Sequence, residues 1–172
     1  MKKLLIIVDY QNDFITGSLG FSKAKSIEKP IVNEIKKYFK NKDTVIFLKD
    51  THDKNYLKSV EGKNLPIVHT IKNTKGWKLY GEVGKLSKGK RVFNKNTFGC
   101  TKLFEYLSKN KFSEIQLCGL LTNMCVLVNA CICKTVCPNT PIIINKKRVT
   151  SNDASLENAA IKILKNLHIK II

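Results

Sequence analysis

Apolar residues fall along this chain in short runs that stop abruptly at polar or charged side chains. Leu4 to Val8 is one such run, closed by Asp9, and reads as a strand buried on both faces of a parallel sheet. Ile27, Ile31, Ile35, Tyr38 and Phe39 then recur at helical spacing, with Pro30 near the first turn, where a missing N–H costs little. Thr44 to Leu48 reads as a second strand, Arg91 to Phe93 as a short third, Leu103 to Leu107 as a helix and Ile115 to Cys118 as a strand. Met124 to Cys133 is apolar nearly all round, the pattern of a buried helix. Pro141 to Ile144 is strand-like, Asp153 can cap a helix carrying Leu156, Ala160, Ile163 and Leu167, and Ile169 to Ile172 closes as a strand.

The alternation of strand and helix predicts an α/β fold, with a mostly parallel sheet covered by helices on both faces and one domain spanning residues 1–172. Residues 50 to 90 break the rhythm, and long aperiodic stretches inside compact domains tend to be functional. In open α/β sheets ligands bind beyond the carboxyl ends of the strands, so the residues just after each strand are where chemistry is expected.

Composition narrows the class. With 43% hydrophobic and 26% charged residues, disordered, collagen-like and coiled-coil chains are excluded. No apolar run near the start is long enough for a signal-peptide core or a membrane span. Six cysteines without an export signal point to reduced thiols, a cytoplasmic location and no membrane partner. The net charge of +18 could be a nucleic-acid footprint. Only Arg91 and Arg148 are arginines, however, and the lysines are scattered, so a solvated lysine-rich surface is the preferred reading and no specific nucleic-acid partner is expected.

The strand ends carry Asp9, Gln11, Asn12 and Asp13 after the first, Asp50 and His52 after the second, Lys95 after the third and Cys125 after the fourth. Cys125 would sit in the first turn of the buried helix, capped by Thr122 or Asn123. Free N–H groups and the dipole there favour thiolate and can hold an oxyanion. The alternative is a small buried apolar residue, as Cys118, Cys131 and Cys133 are read. Asp9 is either a turn cap or the general base a thiol nucleophile needs. Asp50, His52, Glu61 and His69 form a second set; histidine with carboxylate suits zinc, iron(II) or manganese, and two solvated loop histidines are the bland alternative. Cys131, Cys133 and Cys137 lack ligand spacing and are read as structural, and His168 as a surface or packing histidine.

Four blocks, in order, resemble the isochorismatase-like cysteine hydrolases: Ile7-Val8-Asp9-Tyr10-Gln11-Asn12-Asp13-Phe14; Asp50-Thr51-His52 with Glu61-Gly62, Leu65-Pro66 and His69; Lys95-Asn96-Thr97-Phe98-Gly99; and Cys118 to Val126. The resemblance covers nearly the whole chain and implies a three-layer αβα fold around a six-stranded sheet. It implies a catalytic triad of Asp9, Lys95 and Cys125, and a cis peptide at Leu120-Leu121 that turns N–H groups toward an oxyanion. The Asp50, His52, Glu61 and His69 set resembles the metal site of the nicotinamidases in particular, where many members carry another histidine in place of Glu61. A nicotinamidase-like reading follows: a cysteine amidohydrolase forming a thioester on Cys125, with one divalent ion, zinc first and iron or manganese as alternatives, and no organic cofactor. Phe14 and Phe98 are the ring-packing candidates, with Trp77 behind them. The other reading within the resemblance is a hydrolase of another small amide, carbamoyl or ureido compound; family members also form homo-oligomers.

Overall fold

The computed structural model describes residues 1–172. Six strands, β1 (Leu4–Val8), β2 (Thr44–Asp50), β3 (Arg91–Lys95), β4 (Ile115–Leu120), β5 (Ile142–Thr150) and β6 (Lys170–Ile171), form one sheet in the order β3-β2-β1-β4-β5-β6. Every pairing is parallel. The helices are α1 (Asn12–Ile15), α2 (Ser22–Ser26), α3 (Glu28–Lys40), α4 (Val60–Asn64), α5 (Gly81–Leu86), α6 (Thr101–Lys109), α7 (Leu127–Val136) and α8 (Ala154–Asn166). No helix is long and apolar enough to cross a membrane.

Strand alternation sends side chains to two cores. Leu4, Ile6, Val8, Ile46 and Leu48 meet Leu103 of α6, Ala130 of α7 and Leu164 of α8 on one face. Leu5, Ile7, Val45 and Phe47 meet Ile31 and Ile35 of α3 and Val83 of α5 on the other. Burying each such side chain contributes about 1.5–3 kcal/mol, which is why β1 is apolar at every position.

The strands β2, β3 and β5 run further than their apolar patterns, because their polar tips still pair with neighbours. Asp50 sits opposite Lys95, and after a register shift Val149 and Thr150 sit opposite Gly119 and Leu120. Gly119 has φ +117, and a side chain there would drive into the Val8 carbonyl, so glycine is required where β1 and β4 approach. Two expectations need correction. In α8 the buried side chains are Ala160, Ile161 and Leu164, while Leu156, Ile163 and Leu167 are exposed; the chosen stripe was turned off the face that meets the sheet. The segment from Met124 to Cys133 is buried on one side only, through Val126, Asn129, Ala130 and Cys133.

Candidate active site

The parallel register brings three strand ends together. Asp9 follows β1 with φ 49, a left-handed turn rare for a non-glycine residue. Asp50 and Lys95 are register partners at the tips of β2 and β3. The Lys95 ammonium lies 2.7 Å from Asp9 Oδ2, 3.3 Å from Asp50 Oδ1, 3.0 Å from the Thr97 carbonyl and 3.4 Å from Cys125 Sγ. The side chains of Lys95 and Asp9 are almost wholly buried. Asp9, Lys95 and Cys125, named from sequence, are therefore brought to one point, with Asp50 beside them.

Cys125 does not sit where a regular helix would put it. Residues Thr122–Val126 form a single widened π turn ahead of α7, in which the Leu121 carbonyl accepts from both Met124 and Val126 N–H at 3.1 Å. Neither Thr122 nor Asn123 caps the helix: Thr122 Oγ1 donates to Glu157, and Asn123 is tied to Ser151, whose hydroxyl donates to its side-chain oxygen. The Leu120-Leu121 peptide is cis. The buried Asn129 braces the turn, donating to the carbonyls of Phe98 at 2.9 Å and Cys125 at 2.7 Å and accepting the Cys100 N–H at 3.0 Å.

The charge state also differs from the sequence expectation. Burial, the Asp9 carboxylate and Asp50 hold the Cys125 thiol well above its ordinary value despite Lys95. Burial raises Asp9 to about 6 against the pull of Lys95. Burial opposes the Lys95 charge, but Asp9, Cys125 and Asp50 outweigh it and raise that ammonium. The resting site therefore holds a thiol beside an ion pair. The helix-start argument for thiolate fails because desolvation and two carboxylates outweigh it.

Asp50 also faces a second cluster. One ligand atom each from Asp50, His52 and His69 lie within 4.8 Å of one another, and all three residues are buried. His52 Nε2 is 2.9 Å from Asp50 Oδ2, yet this buried nitrogen has no aligned hydrogen-bond partner. His69 Nε2 is 3.5 Å from the same oxygen. His69 Nδ1 lies 2.7 Å from the Ile67 carbonyl; a carbonyl only accepts, so Nδ1 carries the hydrogen and neutral His69 turns a lone pair inward. Burial alone would raise Asp50, but the two histidines and Lys95 hold it well below the usual carboxylate range. The unpaired His52 nitrogen and the His69 Nε2 beside it, both facing an ionised carboxylate, fit a divalent cation. Glu61 lies outside the tight set, its Oε1 3.9 Å from His52 Nε2.

Two supporting residues, Thr70 and Tyr56, were missed in the sequence, and Gln11 was named only by its place after the first strand. Thr70 Oγ1 donates to Asp50 Oδ2 at 2.8 Å, and the Thr70 N–H donates to Asp13 at 2.7 Å. Tyr56 packs on both imidazoles, with ring centroids 4.5 Å from His52 and 4.8 Å from His69. The Gln11 side chain clips the Asp50 backbone from both sides, accepting its N–H and donating to its carbonyl. The sole sequence hint for Tyr56 and Thr70 was their place in the aperiodic stretch. Phe14 packs on His69 at 5.7 Å. Phe98 is 36% exposed and held through its carbonyl. Trp77 lies against Lys49, with the ammonium 2.9 Å from the ring centroid. A cleft of about 720 Å³ opens beside the cluster, lined in part by His52, Tyr56, Glu61, Asn96 and Thr97.

Comparison with known proteins shows the family and the fold. A curated isochorismatase family protein, PncA, from Bacillus subtilis (strain 168), described as uncharacterized, is 34% identical over 143 residues, covering 76% of this chain and 77% of its own. The crystal structure of a pyrazinamidase/nicotinamidase from Streptococcus mutans UA159 superposes with TM-score 0.88 at 30% identity, over 99% of this chain and 100% of that one. Two more distant structures share the fold. A Pyrococcus horikoshii pyrazinamidase in complex with zinc has TM-score 0.87 at 21% identity, over 100% of this chain and 99% of its own. An N-carbamoylsarcosine amidase from Thermoplasma acidophilum has TM-score 0.82 at 21% identity, over 99% and 95%. The model of the isochorismatase domain matches residues 3–170, and this chain belongs to that family.

Proposed function

We propose that this isochorismatase-family amidohydrolase deamidates nicotinamide to nicotinate and ammonia through a thioester on Cys125. The observation that carries the reading is the double role of Asp50, which touches Lys95 through Oδ1 and meets the two histidines through Oδ2. A thiol site and a metal-type site thus share one carboxylate. The resemblance to the Streptococcus mutans pyrazinamidase/nicotinamidase supports an aromatic carboxamide as substrate.

Asp9 takes the Cys125 proton as Sγ attacks the carboxamide carbon. Because Asp9 is raised only to about 6 while the thiol lies well above 9, free thiolate is scarce, and proton transfer accompanies attack. Lys95 contacts both atoms, so its charge faces the carboxylate before transfer and the sulfur after it. Leu121 and Cys125 N–H groups receive the oxyanion, a contribution of a few kcal/mol in comparable sites. Asp9 returns the proton to the departing amine, ammonia leaves and the thioester remains. Asp9 then takes a proton from water as its oxygen attacks the acyl carbon; nicotinate leaves and Sγ recovers the proton. A divalent ion, zinc by the resemblance to the Pyrococcus horikoshii pyrazinamidase in complex with zinc, held by Asp50, His52 and His69 with Glu61 at its edge, would supply Lewis acidity toward the pyridine nitrogen. Phe14, which packs on His69, and Phe98 are the residues assigned to pack against the ring.

The test is ammonia release from a panel of nicotinamide, pyrazinamide and N-carbamoylsarcosine, on zinc-loaded and chelator-treated protein. Turnover of the two aromatic amides, lost on chelation and in Cys125→Ala, is expected. Turnover of the carbamoyl compound alone would move the assignment to a carbamoyl amidase on the same thiol.

A further inference from the structure

Alternation along β2 and β3 gives the sheet a second polar surface, next to the candidate active site but on its opposite face. Asp50 and Lys95 are register partners directed toward Cys125, whereas Lys49 and Asn94, one position back, are partners directed the other way, toward α5. There they line a cavity of about 540 Å³ with Trp77, Lys78, Lys85, Lys88 and Val92, among others. Lys85 is paired with Glu82 at 3.0 Å, and no carboxylate lines the cavity. Lys49 is 7% exposed and has no ion-pair or hydrogen-bond partner; its ammonium meets only the face of the Trp77 indole, 2.9 Å from the ring centroid.

A cation on a largely buried side chain, without a counter-ion, is costly, and one aromatic face and the open mouth of the cavity offset that cost only in part. Lysine at this position, among Lys78 and Lys88, leaves the cavity with positive charge that nothing in the chain neutralises. The volume is in the range that holds a small organic molecule, and Trp77, Leu79 and Val92 supply apolar wall. We propose that this cavity binds a phosphate group, with Lys49 at its floor and the exposed Asn94, Lys78 and Lys88 around its rim. The group is either free phosphate or the head of a small phosphomonoester whose organic part lies on the apolar wall. The site is separate from the thiol and metal-type clusters and does not depend on the substrate assigned above.

Trp77 is the only tryptophan in the chain, so its fluorescence reports on this cavity. Titrations with inorganic phosphate and with ribose 5-phosphate, each against sodium chloride of equal ionic strength, should give a saturable change with the phosphates alone. Lys49→Met should weaken binding by roughly tenfold or more. Lys88→Met, at the rim, should weaken it by a smaller factor, while Lys165→Met on α8 should leave it unchanged. Tighter binding of ribose 5-phosphate assigns the site to phosphomonoesters, and equal or tighter binding of phosphate assigns it to the free ion. No saturable change up to millimolar concentration, a change reproduced by chloride, or one that survives both Lys49→Met and Lys88→Met overturns the proposal.

Discussion

At the scale of single residues, the site is a set of charges arranged around one ammonium. Lys95 holds Asp9 and Cys125 in contact range, and burial sets their proton affinities. Two consequences follow for Asp9. As the base it must be ionised, so kcat/KM should climb as pH rises through about 6 and then level off. Its effect on stability has the opposite direction. The folded value near 6 exceeds the model value of 3.8, so the folded protein binds the extra proton, and this stabilisation is lost as pH rises from about 4 through 6. Asp9→Asn should therefore abolish turnover, and its melting temperature relative to the parent protein should be higher at pH 7.5 than at pH 5. A relative melting temperature that falls over that interval would show that the Lys95 ion pair, not desolvation, dominates. The apolar runs placed Asp9, Lys95 and Cys125 after strand ends in the sequence, and the resemblance to the isochorismatase-like hydrolases grouped them. The thiol's protonation state was not legible, because it depends on two carboxylates distant in sequence.

At the scale of elements, the strands were legible as far as their apolar cores and invisible beyond them. Lys49-Asp50 and Asn94-Lys95 break the pattern that marks β2 and β3, yet they are the tips on which the site is built. The π turn at Thr122–Val126 leaves no periodic trace, so the caps read at Thr122 and Asn123 were wrong. The stretch from residue 50 to residue 90 was recognised as unusual and as the bearer of the candidate ligands His52, Glu61 and His69, but its internal order left no periodic trace. Its packing shows why it matters: Tyr56 presses on both histidines, and Thr70, at φ 44, ties Asp50 to the same loop that Asp13 anchors. Orienting partners of this kind typically change metal affinity by about 10- to 100-fold. Thr70→Val should lower zinc affinity by about that factor in competition with a chelating dye while leaving the far-UV circular dichroism spectrum unchanged. Unaltered affinity would mean that Asp50 is positioned by Gln11 alone.

At the scale of the whole molecule, six parallel strands place Asp9, Lys95, Cys125 and a metal-type cluster on one rim while leaving a basic cavity on the other face of β2 and β3. The excess charge of +18 is consistent with lysines on solvated helix and loop surfaces, and salt should suppress whatever polyanion attraction it causes. The fold could be read from the order of apolar runs because the central strands β1, β2 and β4 are buried on both faces. The thiol and metal-type sites could be told apart in sequence, but their connection through Asp50 could not, since it requires both oxygens of one carboxylate to be placed. The most direct test of the account is covalent. Zinc-loaded protein is mixed with nicotinamide, quenched in acid within one turnover and analysed by peptide mass spectrometry. A nicotinoyl adduct on the peptide carrying Cys125, absent in Cys125→Ala, is the expected result. Ammonia release with no adduct at any quench time, or an adduct on another residue, would contradict thioester chemistry at this site.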